Sequence, residues 1–553
     1  MKLIFFLSFS LFITSCQNQN EISYINLEQA FVDWYYKHNP STATTHHLNI
    51  NNDLFDQFNL DAINEKTEDI RRFKIELSQI DETKLNKSKM DRFIKLNTIL
   101  DYLNLNNEID SKSNYNIINS LSVIYKGLFY ILYISDIDMV GRVEALSSRL
   151  EGLSYQLSDI TSNITCINKY HYDIFSHYNR SLYALLDEIP VNIFSDNITL
   201  DRIDEYISSG RQSLSVLENT VNKMFSDNCS IDANINKYAK KIIPESIPAD
   251  SLNIDLDKSI RRLKNDIFNI SLIEYLIEND EPIWVDYDDT LSVINTIVSK
   301  MLKSNINSNE IISEIYRMSN SISSTLNESY FDANTSINEI TIAYEPILIN
   351  YDLPISFMIV KLDDKQFPTI YIYDKIKEFS ANSSLDIFSN PYILELVIYS
   401  EIATSKLIEN QFTRDSHLNF IYYNLFLEKP TISFVKNMYI NNEVNESNNL
   451  IKLAFKIESL VNIYKVMSIL NNYNLDETIN LFAKDQIISS FINIEGVLRE
   501  INLNYKGLLK QFFCNETLFL KNISNINKYV DELKNSTIFI LDNPQIIYEG
   551  SLD

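Results

Sequence analysis

Apolar residues recur along this chain at the spacing of an α-helical face. Leu146, Leu150, Leu153, Leu157 and Ile160 follow one another at steps of four, three, four and three. Phe93, Leu96, Leu100 and Leu103 form a second stripe, and Leu453, Ile457, Leu460 and Tyr464 a third. Each stripe predicts a helix that buries one side and leaves Asn, Lys and Glu outside. Glycine reinforces the reading: the chain has 7 in 553 residues, several times fewer than the average usage of roughly 7%. Helices joined by Asn, Ser and Asp turns fit that shortage. The pattern breaks over residues 339–374, where β-branched and aromatic runs surround Pro346, Pro354 and Pro368. A small antiparallel sheet is predicted there. A polar loop at Asn382–Ser384 follows, and Pro391 suits the first turn of a new helix. That helix contains YSEIATSKLIENQ, Tyr399–Gln411, which reads as amphipathic with Ile402, Ala403 and Leu407 on one side. The fold class predicted is predominantly all-α, a large helical body with a groove and one small sheet. A soft division at 244–250 predicts two helical halves, 23–245 and 246–553.

The first residues carry a different signal. Lys2 precedes an apolar run, Leu3–Ile13, that is too short to span a bilayer. Ile13-Thr14-Ser15-Cys16 then matches the bacterial lipoprotein pattern, in which the cysteine receives lipid and becomes the mature N-terminus. The reading is a signal peptide over 1–15, Cys16 as the lipidation site, and a polar tether over 16–22. A plain secretory signal with a chance cysteine is the alternative. Gln17 after the cysteine favours the outer membrane by lipoprotein sorting rules, with palmitate-type acyl chains as the anchor. No later run is expected to be long and apolar enough to cross a membrane. LSVIYKGLFYILYI, Leu121–Ile134, contains Lys126 and is expected to be a buried core helix.

Charge and candidate chemistry narrow the function. A net charge of −26 repels phosphate backbones, so nucleic-acid binding is not expected. Beyond Cys16 the cysteines are Cys166, Cys229 and Cys514, with no CxxC; Cys166 and Cys229 could pair in an oxidising compartment. Zinc bound on one helix needs imidazoles a turn apart. His38, His46, His47, His171, His177 and His417 offer no such pair, and surface or capping roles are expected of them. The acidic run Glu278–Asp289 lacks the spacing of a calcium loop and reads as a solvated turn. No GxSxG, SxxK or GxxxxGK[ST] motif occurs.

One resemblance adds to this. Trp34, Asn39, Pro40, Ala43 and Thr44 keep a phrase of the form W-x-x-x-NP-x-x-AT, and Arg142, Leu146, Arg149 and Leu150 keep a second of the form R-x-x-x-L-x-x-RL. Together with the strand-like segment before Pro391, these resemble the bacterial domain of unknown function 885 family. The resemblance implies a helical zinc metallopeptidase whose hallmarks are HExxPGHH and a later EGWxxY. At the first motif this chain has Ser400 for the leading His, Glu401 for the Glu, Thr404 and Ser405 for Pro-Gly, and Lys406 and Leu407 for the two His. The second falls near Glu428 and Pro430. There is no glycine between Gly210 and Gly496, so neither motif can be intact. A Lys406 ammonium 4 Å from a divalent ion would repel it by up to about 8 kcal/mol at an effective dielectric of 20. Ser400, Glu401, Lys406 and Glu428 are therefore expected to be vestigial, with no catalytic residue, no metal and no cofactor. The function expected is a membrane-anchored lipoprotein, a pseudoenzyme that binds a peptide or an envelope component. One alternative is a hydrolase with Glu401 as base and Glu428 or Glu395 binding a cation. Another is a helical surface-lipoprotein binding module without peptidase ancestry.

Overall fold

The structure is a computed structural model that describes residues 2–45, 48, 50–110, 116–134, 137–193, 197–226, 249–278, 287–304, 306, 310–329, 341–345, 355–362, 365–373, 390–407, 417–442, 448–489 and 492–519, with backbone alone for 2–18 and for the strands. Its body is helical. The N-terminal helices are α1 (Lys2–His38), α2 (Pro40–Thr45), α3 (Leu60–Ser78) and α4 (Lys87–Asp110), with a 3₁₀ turn at Glu82–Lys84. Next come α5 (Asn116–Phe129), which continues into a π turn at Tyr130–Ile134, α6 (Met139–Ser162), α7 (Lys169–Asn192) and α8 (Asn197–Met224). Then follow α9 (Ala249–Glu278), α10 (Tyr287–Lys303), α11 (Ile311–Ser329) and three strands, β1 (Thr341–Glu345), β2 (Ile355–Leu362) and β3 (Lys365–Tyr373). The C-terminal helices are α12 (Pro391–Leu407), α13 (His417–Tyr422) with a π turn at Tyr423–Leu427, α14 (Glu428–Asn442), α15 (Asn449–Leu470), α16 (Leu475–Ala483) and α17 (Ile494–Phe519).

Asparagine and aspartate do at the helix ends what the scarce glycines cannot. Asn59, Asp138 and Asn168 accept from the third backbone N–H beyond them and so start α3, α6 and α7. Asn474 and Glu477 form a reciprocal capping box on α16. Asn472, at φ 55°, takes the left-handed position after α15 that glycine would otherwise fill.

The strands form a sheet in the order β1-β3-β2. It is mixed, where the sequence predicted an antiparallel one: β2 and β3 pair antiparallel, but β1 joins β3 in parallel, from Thr341 opposite Thr369 onward. Strand β2 also lies beside α12.

Among the described residues the buried apolar side chains form two clusters. The larger cluster joins Tyr24–Leu105 to Leu256–Leu509; the smaller consists of Phe58 and Ile117–Val221. Contacts across the sequence explain the merger. The ring of Tyr102 on α4 meets Phe426 edge-on at 4.9 Å, and Lys95 donates to Asn419 at 3.1 Å. The stretch Ile117–Ile134 is long and apolar enough to cross a bilayer, yet Leu121, Ile124, Tyr125, Leu128 and Ile131 are fully buried in the smaller cluster. It is a core helix, as its embedded Lys126 suggested.

Candidate functional site

Helix α12 carries Ser400, Glu401 and Thr404, the residues set against the first metallopeptidase motif in the sequence. Asn390 starts it by accepting from Tyr392 N and Ile393 N, while its own amide donates to Met301 O at 2.7 Å. The sequence predicted an amphipathic helix. Instead Leu394, Leu396, Val397, Ile398, Tyr399, Ile402 and Ala403 are all buried, so apolar packing surrounds the helix on most sides. Ser400, at the position of the leading histidine, is 1% exposed, and its hydroxyl donates to Val397 O at 2.8 Å. It is a core residue making a local bond. Thr404 is buried one turn on, and Glu401 is half-buried. The side chain of Lys406 lies outside the described residues. Glu428 opens α14, half-buried. Helices α12 and α14 pack together, and the Tyr399 and Tyr439 rings stack at 4.0 Å. Beside that stack Tyr439 donates its hydroxyl to Glu395. Lys436, also on α14, pairs with Glu458 at 2.8 Å. Glu395 and Lys436 are thus committed to protein partners.

Two of the residues given for the resemblance, Thr44 and Arg149, meet elsewhere, at a buried joint between the two clusters. Arg149 on α6 is 1% exposed. Its guanidinium donates to Asn52 O, Gly127 O and Thr44 Oγ1, each at 2.8 Å, and lies over the Phe55 ring at 5.4 Å. Thr44 belongs to α2, which follows Asn39 and Pro40. The amide of Ser41 donates to the buried carboxylate of Asp56 at 3.0 Å, and Asp56 supplies a nearby negative charge. Burial pushes Arg149 down to about 10, still protonated at neutral pH. Gly127 is required here: a Cβ would come within 2.6 Å of Arg149 Nη1 and 2.7 Å of Ser41 Oγ. This arrangement holds segments together, and of the groups named only the buried Ser41 hydroxyl lacks a hydrogen-bond partner.

The sequence gave no warning of one cluster, His38 with Glu65 and Asp69, whose ligand-type atoms lie within 4.8 Å of one another. Glu65 and Asp69 stand one turn apart on α3, which is readable from sequence; the approach of His38 from α1 is not. Trp34 Nε1 donates to Asp69 at 2.8 Å and Arg72 pairs with it at 3.0 Å, so Asp69 serves as a tie between α1 and α3. Burial holds His38 below its ordinary range. Of the surface or capping roles expected of the histidines, His171 takes a place at a cap rather than at the surface. It is buried against the cap of α7, its Nδ1 2.9 Å from Asn168 Oδ1, and desolvation lowers it to about 4. His417 packs edge-on against Tyr36 at 5.8 Å. His46 and His47 lie outside the described residues, as does most of the acidic run 278–289.

At the N-terminus, α1 runs without interruption through the segment predicted to be a tether. Asn20 exchanges hydrogen bonds with the backbone of Asp81, giving 3.0 Å to its oxygen and receiving 3.3 Å from its nitrogen. Glu21 pairs with Lys89 at 2.6 Å and accepts from Asn86 at 3.0 Å. Residues 20–22 therefore belong to the folded body, and the tether over 16–22 is shorter than predicted because these polar groups have partners there. Cys166 is disulfide-bonded, and the adjoining Ile167 forms a two-hydrogen-bond bridge with the Met224–Ser226 stretch.

No protein-family model matches the chain, and no curated protein is similar to it in sequence. Solved structures are similar. A protein assigned as a lipoprotein of unknown function from Shewanella oneidensis superposes with a TM-score of 0.64 at 12% identity, over 96% of this chain and 100% of its own. One from Colwellia psychrerythraea, likewise assigned as a lipoprotein, gives 0.64 at 9% identity over 97% and 98%. At such identities the likeness is one of fold, and it extends over nearly the full length of all three chains.

Proposed function

We propose that the protein is an envelope lipoprotein, acylated at Cys16, whose helical body binds a ligand without catalysing hydrolysis. The observation that carries the non-catalytic reading is Ser400: where a metallopeptidase helix needs an imidazole facing a cleft, this chain has a hydroxyl turned into the core and bonded to its own helix. A hydroxyl is a poor zinc ligand, and without a bound metal Glu401 has no acidified water to activate. The packing of α12 beside β2 supports the metallopeptidase-like ancestry that the resemblance implies. The lipoprotein reading is supported by Ile13-Thr14-Ser15-Cys16, by the disulfide at Cys166, and by two structural neighbours assigned as lipoproteins. Each buried CH₂ of an acyl chain contributes roughly 0.8 kcal/mol, so two or three chains hold a body of this size on a membrane. Gln17 favours the outer membrane, with an envelope peptide or polymer as the ligand class.

Intact-mass measurement of protein made from the full precursor tests the anchor: a diacyl- or triacyl-cysteine at position 16 is expected, and Cys16→Ala abolishes it. Elemental analysis tests the site. One zinc per chain, lost on Glu401→Gln or Glu428→Gln, would overturn the non-catalytic reading.

A further inference from the structure

We infer that one end of the body, where residues 20–25 of α1 meet the 3₁₀ turn at Glu82–Lys84 and the start of α4, rests directly on the phospholipid surface, with Ile22 and Ile25 in the interface. The inference rests on the lipoprotein reading of Cys16 and adds an orientation to it. Asn20 and Glu21 are held by Asp81, Asn86 and Lys89, and Tyr24 is fully buried. Only residues 17–19 lie between the lipid-bearing cysteine and this fastened point. Fully extended, the four steps from Cys16 to Asn20 reach at most about 14 Å; as helix they reach about 6 Å. A chain of this length has a radius of gyration of about 24 Å. The link is shorter than the body's own radius, so this end cannot stand off from the bilayer.

The surface it presents suits that position. Ile22 and Ile25 are 49% and 44% exposed and, three residues apart on α1, share a face. Around them acidic groups are matched by lysines: Asp81 by Lys84 at 2.9 Å and Glu21 by Lys89 at 2.6 Å, while exposed Glu82 is offset by exposed Lys87. This end is near neutral in a chain of net charge −26, so an anionic headgroup layer repels the molecule as a whole but tolerates this end.

The test uses mature protein made from the full precursor and reconstituted into phosphatidylethanolamine–phosphatidylglycerol vesicles containing phospholipid brominated in the acyl chains. Ile22→Trp and Ile25→Trp are compared with Tyr155→Trp on α6, after subtracting the parent's Trp34 and Trp284 signal. Several-fold stronger quenching at positions 22 and 25 is expected. A flexible Gly-Ser segment of about ten residues inserted after Gln17 is expected to bring them down to the Tyr155 level. Vesicle-bound, lipidated protein in which positions 22 and 25 are quenched no more than 155 overturns the inference, as does quenching that survives the insertion unchanged. Protein that carries no lipid and stays in the aqueous fraction instead defeats the lipoprotein reading on which it rests.

Discussion

Two buried polar regions of this molecule are built in opposite ways. At the Arg149 joint one guanidinium reaches acceptors on three separated segments, Asn52, Gly127 and Thr44. On α12 the polar groups are satisfied locally or singly: Ser400 by Val397 of its own helix, Glu395 by Tyr439 of the neighbouring one. Thr44 and Arg149 sit at the joint, and Ser400 sits on α12. A buried donor that ties remote segments cannot be changed without orphaning several partners. A buried serine bonded to its own turn can be exchanged with less effect on its surroundings. Arg149 and Thr44 therefore serve architecture.

The largest test of this contrast is Arg149→Met. It removes three long-range hydrogen bonds and one of the two cations near Asp56, Lys66 being the other, so a loss of about 3–5 kcal/mol is expected in urea unfolding. A loss below about 1 kcal/mol would reduce the joint to the level of α12. Replacing Cys166 with Ala should cost about 2–4 kcal/mol. Peptide mapping without reductant should identify its partner, with Cys229 expected. Acid comes next. His171 is lowered to about 4 in the folded state against about 6.5 unfolded, so the unfolded chain gains its proton first. Stability is then lost as pH falls from about 6.5 toward 4, by up to about 3 kcal/mol, and His171→Gln should flatten that slope. The smallest effects are expected on α12. Tyr439→Phe should cost about 1 kcal/mol and Ser400→Ala less, both read as midpoint shifts. Ser400→His sharpens the comparison further: the imidazole overpacks the core by about 1–3 kcal/mol and binds no zinc. Zinc capture by that variant would mean that α12 has a functional cleft after all.

Much of the fold was legible because burial follows period. Leu146, Leu150, Leu153, Leu157 and Ile160 are all buried on α6, as are Leu453, Ile457, Leu460 and Tyr464 on α15. The stripe on α4 buries Leu96 and Leu100, with Phe93 and Leu103 at its margins. What periodicity could not give was the partner of each face. It suggested two halves in sequence order, whereas α1, α3 and α4 pack with helices several hundred residues on. It also missed that α12 is enclosed by its neighbours, because Ser400, Glu401 and Thr404 break the apolar run enough to suggest a wet side. His38 with Asp69, and Arg149 with Thr44, are tertiary pairings that no local pattern encodes.

The way the two clusters are threaded bears on the order in which the chain can fold. The smaller cluster draws almost all its members from a contiguous stretch, residues 117–221, and can close as soon as that stretch emerges. The larger one needs Leu508 and Leu509 to complete what Tyr24 begins. Until α17 arrives, the first four helices expose apolar faces. Truncation before α17 should therefore release aggregates of the opening helices while leaving the middle third intact.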